Sequence, residues 1–92
     1  MRLLGKPLLL SITQNNPGAR AWVSSWTSEL NDATWKQATE VRRQFPRVLQ
    51  PSPQEFAFPI AECPFSVVLN IEFPRGIAVI TRLLNRNDPH GR

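Results

Sequence analysis

From Ser66 to Arg86 the apolar and polar residues are set out with the period of a strand. Val67, Leu69, Ile71 and Phe73 occupy every second position and Asn70 and Glu72 fall between them, as in a strand with one buried face. Val68 alone breaks the alternation. Phe73-Pro74-Arg75-Gly76 follows, a turn in which Pro presets the bend and Gly supplies positive φ. The next run, Ile77 to Leu84, is apolar on both faces until Thr81 and Arg82 interrupt it, the mark of a central strand. The pattern predicts that residues 66–73 and 77–84 pair antiparallel in the middle of one sheet. Arg82 then has two readings. Either its head snorkels to water from the end of its strand, or it meets an anion such as phosphate in a cleft, since an unpaired buried guanidinium is very costly.

Upstream the period changes from that of a strand to that of a helix. Met1 to Gly5 reads as an edge or first strand, and Pro7 with Leu8 to Gln14 as a short helix broken by Asn15-Asn16-Pro17-Gly18. From Ala19 a second helix sets Ala19, Trp22, Val23, Trp26 and Leu30 on one stripe, opposite Ser24, Ser25, Ser28 and Glu29. Both tryptophans lie on that stripe and read as core rather than as platforms for stacked bases. A third helix is expected from Ala33 to Phe45, capped by Asn31-Asp32, closed by Pro46, and buried through Trp35, Ala38, Val41 and Phe45. Val48 to Gln54 holds two prolines and reads as a loop or a broken edge strand. Phe56, Phe58 and Ile60 alternate as a strand, and Ala61-Glu62-Cys63-Pro64 turns into the hairpin. Strands grouped after helices indicate an α+β domain, an antiparallel sheet with helices on one face.

Composition narrows the function more than the fold. At 92 residues and 41% hydrophobic content, residues 1–92 make one domain with one modest core. Eleven Lys and Arg against seven Asp and Glu give a net charge of +4 and a pI near 10.7, which favours a polyanionic partner. Lys36, Arg42, Arg43 and Arg47 fall within twelve positions, a phosphate track or a solvated helix face. Cys63 is the only cysteine and His90 the only histidine, so no internal disulfide, metal site or other cofactor is expected. The run Leu8-Leu9-Leu10 is too short to span a membrane and no small-residue cleavage site follows it, so a cytoplasmic protein without a membrane partner is expected.

Several of these landmarks, taken in order, resemble one known family. Arg20-Ala21-Trp22, Ala33-Thr34-Trp35-Lys36, and Glu40-Val41-Arg42 ending in Phe45-Pro46 are similar to the HigB toxins of bacterial toxin–antitoxin systems. The strands Phe58 to Ile60, Val67 to Phe73 and Gly76 to Arg82 continue the similarity over nearly the whole chain. The resemblance implies a RelE-like fold, a small twisted antiparallel sheet with N-terminal helices packed on one face. It also implies an activity, ribosome-dependent cleavage of mRNA by a metal-independent endoribonuclease. The implied partners are mRNA, the ribosome and a HigA-like helix-turn-helix antitoxin.

In such cleavage the ribose 2′-hydroxyl attacks the adjacent phosphate, helped by a base, by an acid, and by cations on the developing charge. The resemblance puts phosphate stabilisation on Arg82 with Arg86 assisting, acid or base work on His90, and positioning on Asn87. Contacts to the RNA backbone fall to Lys36, Arg42, Arg43, Arg47 and Arg75. Lining up Arg82 places Asn87 where the family has a His and His90 where it has a Tyr, while Phe65-Ser66 stands in for a Tyr-Arg-like pair. These departures leave room for a RelE-like RNA- or protein-binding module that has lost cleavage.

Overall fold

The fold is seen in a computed structural model that describes residues 1–86. Its elements run β1 (Arg2–Leu4), α1 (Leu8–Asn15), α2 (Arg20–Asp32), α3 (Ala38–Gln44), β2 (Leu49–Ser52), β3 (Glu55–Pro59), β4 (Phe65–Glu72) and β5 (Ile77–Asn85). One five-stranded sheet has the order β1-β5-β4-β3-β2. The central hairpin is formed as expected, with Glu72 opposite Ile77 and Phe65 opposite Asn85. A one-turn 3-10 helix (Phe73–Arg75) and Gly76 at φ 65° close it. Val68 pairs with Arg82 and Leu69 with Ile80, so Thr81 is an extra residue on β5, a bulge that bends the strand just before Arg82.

The sheet is mixed, which corrects the expectation of an antiparallel one. β1 runs parallel to β5, with Leu3 opposite Ala78. Parallel neighbours need a long crossover, and here the chain through all three helices and the other strands lies between them. Gly5 makes the exit from β1 possible: its φ is 86°, and a Cβ there would lie 2.7 Å from the Ile80 carbonyl oxygen.

Cross-strand register sorts the side chains onto two faces. Leu3, Phe56, Phe58, Val67, Leu69, Ile71, Ala78 and Ile80 share one face and join Leu9, Ile12, Val23, Trp26, Leu30 and Val41 of the helices in a single core. Each such large side chain contributes roughly 1.5–3 kcal/mol by leaving water. Edge-to-face and stacked rings thread this core in the order Trp35, Phe45, Phe58, Trp26, Trp22. Arg82, Val68, Ala57 and Glu55 belong to the opposite, open face.

The third helix starts later than its pattern indicates. Asn31-Asp32 ends α2 rather than capping α3, and Ala33 is already extended (φ −70°, ψ 143°). The carboxylate of Glu40 accepts the backbone N–H groups of Lys36 and Gln37, so the first helical residue is Ala38 and the cap is Gln37. Trp35 is buried from an extended segment, its Nε1 donating to Gln44 Oε1 at 3.0 Å.

Candidate functional site

Arg82 and the open face come first, because the chemistry expected of this chain rests there. The bulge at Thr81 returns Arg82 to register with Val68, and its Nη1 donates to Glu55 Oε2 at 2.9 Å. β4 lies between their strands, with Val68 opposite Arg82 and Asn70 opposite Glu55, so the bridge crosses about 10 Å of sheet on a diagonal. Val68 and Ala57 beneath it are fully buried. The Arg82 side chain is 50% exposed and that of Glu55 25%, and Ser52 Oγ donates to the other carboxylate oxygen at 3.1 Å. Arg82 therefore neither simply snorkels to water nor stands free: it is held by a carboxylate, with part of its guanidinium still accessible.

Glu55 was not singled out by the sequence pattern. It precedes Phe56 and Phe58, whose inward alternation puts Glu55, Ala57 and Pro59 outward, and that much is legible. Which strand would lie two places away is a matter of register, which the local pattern leaves open.

The other expected residues divide into three groups around α3. At its start Lys36 and Arg75 share a cleft with Thr34, Trp35, Phe73 and Gly76, although Arg75 is also 3.8 Å from Glu72. On the helix Arg42 Nη1 donates to Gln50 Oε1 of β2, and Arg43 is exposed. Beyond its end Arg47 and Arg86 line one cleft with Trp22, Pro59 and Cys63. Arg86 is engaged there, its Nη2 donating to the carbonyls of Ile60 and Cys63, so it fastens the 60–64 turn to the end of β5. Among the described residues, the side chains of Lys36, Arg43 and Arg47 have no hydrogen-bond or ion-pair partner.

The structure thus gathers the basic residues along α3 and sets Arg82 apart from them on the open side of the sheet. Asn87 and His90 lie outside the described residues. Among the described residues no cluster of His, Cys, Asp and Glu is suited to a metal ion, and no helix is long and apolar enough to cross a membrane.

A third cleft, of about 290 Å³, opens between α2, the end of α3 and β3. Trp22, Phe45 and Phe58 line it together with Pro46, Val48 and Arg47. The two tryptophans of α2 therefore have different fates. Trp26 is core at 1% exposure, whereas Trp22 is only half-buried and lines both clefts near Arg47. No protein-family model matches the chain, and no curated protein is significantly similar to it.

Proposed function

We propose that this chain is the toxin of a bacterial toxin–antitoxin pair, a HigB-like protein of RelE-like fold that cuts mRNA on the translating ribosome in the cytoplasm. The observation that supports this best is the pairing of Arg82 with Glu55 on the open face, 2.9 Å apart and both partly exposed. Phosphoryl transfer by a 2′-hydroxyl needs a base beside a cation that grips the phosphate. Glu55 takes the proton of the 2′-hydroxyl as its oxygen bonds to phosphorus, and Arg82 steadies the charge that grows on the phosphate oxygens. The P–O5′ bond then breaks, and the leaving oxygen takes a proton from His90 in the assignment that the resemblance implies. A HigA-like antitoxin encoded beside it holds the activity in check.

One observation favours a second reading, a binding module that has lost cleavage. Both carboxylate oxygens of Glu55 are already occupied, one by Ser52 and one by Arg82, so neither stands open to a 2′-hydroxyl. Induction in bacterial cells, alone and together with the adjacent gene, separates the two. The toxin arrests growth and leaves mRNA cut within codons on ribosomes, and the neighbour relieves it. Normal growth with intact mRNA would leave only the module.

A further inference from the structure

We infer that the cleft at the end of α3 is a stacking site for one base of single-stranded RNA, with Arg47 as the partner of an adjoining phosphate. The inference deepens the RNA-directed reading above and rests on it, but it concerns a place on the far side of the sheet from Arg82 and Glu55. Three observations converge. The first is the set of rings, which line the cleft beside Pro46, Val48 and Pro59: Trp22 stacks on Trp26 with centroids 5.5 Å apart and planes 15° apart, and Phe45 meets Phe58 edge to face at 5.2 Å. Trp22 is thus held rigidly from behind while its indole still borders the cleft, so a stacked base costs little ordering of the protein.

The second observation is size. About 290 Å³ is at the lower bound for small-ligand pockets, room for one planar ring system. The third is charge. Arg47 lines both this cleft and the adjoining one, and has no partner among the described residues, whereas Arg86 beside it is committed to two carbonyls. Aromatic rings beside a guanidinium that has no partner among the described residues are complementary to a base and its phosphate. They are less so to an aliphatic side chain, which leaves Arg47 unused. Arg43 on α3 and Lys36 just before it also have no partner among the described residues, and supply further cations for phosphates of the same strand.

The test uses short fluorescent oligoribonucleotides, without ribosomes, and the full chain carrying Arg82→Ala, so that binding is measured with cleavage slowed. An intact strand is compared with one of equal length and charge that lacks bases. The intact strand should bind about tenfold more tightly, and Trp22→Leu should erase that advantage while Trp22→Phe keeps most of it. Arg47→Gln should weaken both strands and lower the salt slope by about one. Equal affinity for the two strands overturns the proposal without any variant having to fold, and leaves the cleft to a protein side chain. Ribosomal mRNA cleavage by the unaltered protein is scored separately. Loss of cleavage with a persistent preference for the intact strand would sink the toxin and spare the stacking site; the reverse result would do the opposite.

Discussion

The two sides of the sheet handle their cations in opposite ways. On the open side Arg82 is pinned to Glu55 above two small buried residues, Val68 and Ala57. On the helix side Lys36, Arg43 and Arg47 stand free among the described residues around an aromatic core. A pinned arginine is preorganised and has lost its conformational freedom in advance, so it suits a step that needs one geometry. Free cations are mobile and hydrated, and suit contacts that are many, weak and screened by salt. Charge count alone does not separate these roles; partner and face do.

The sharpest way to break the comparison is through the core. Phe58→Ala removes the ring that joins Phe45 to Trp26 and should cost about 3–5 kcal/mol, read as a lower denaturation midpoint in urea. Val68→Ala on the open side removes less volume beneath a bridge that can settle, and should cost clearly less. Equal losses would mean that the open face is a second core and not a platform. Next in size is Arg82→Ala, which should slow mRNA cleavage about a hundredfold, roughly 3 kcal/mol of transition-state stabilisation, in a protein that still folds. Glu55→Gln should fall in the same direction. Cleavage unchanged by both would move the reaction off the open face.

How much of this was legible in the sequence depends on the range of the interaction. The hairpin of β4 and β5 is local, an alternation and a turn, and both strands pair in the middle of the sheet as their pattern indicates. The parallel placing of β1 depends on a partner more than seventy residues away, and a three-residue strand has no pattern from which to tell it. The start of α3 was missed because its cap is Gln37, outside the usual capping residues, while Asn31-Asp32 offered a stronger local signal at the wrong place. Trp22 and Trp26 lie on one helical stripe, and only the position of β3 and the Phe45-Pro46 bend decides that one is core and the other a wall. Arg82 was legible as a residue to question, whereas its partner Glu55 was set by register.

A smaller effect sharpens the contrast among the free and engaged cations. Replacing Arg42 and Arg43 together by Gln should weaken RNA or ribosome binding about tenfold at moderate salt and flatten its salt dependence, with folding unchanged. Singly, Arg43→Gln should account for more of the loss, because Arg42 is already held by Gln50. A larger loss from Arg42→Gln would mean that the Gln50 contact presents that guanidinium rather than occupying it. Binding unaltered in the double variant would make this helix face a solvated one.

The smallest expected effect tests where α3 begins, and with it whether Lys36 belongs to the helix. Glu40 is the third residue of the helix and its carboxylate accepts the N–H groups of Lys36 and Gln37, satisfying donors that the first turn leaves open. Its negative charge also lies at the positive end of the helix. Glu40→Ala should therefore destabilise the protein by about 1 kcal/mol and speed amide exchange at Lys36 and Gln37. A helix running from Ala33, as the apolar stripe alone indicates, makes the opposite demand. Glu40 would then sit in mid-helix on the exposed side, where Ala is the better helix former, and the same replacement would be neutral or stabilising. The sign of one substitution separates the two. A loss places Lys36 on the extended segment beside Arg75, and a gain returns it to the helix with Arg43.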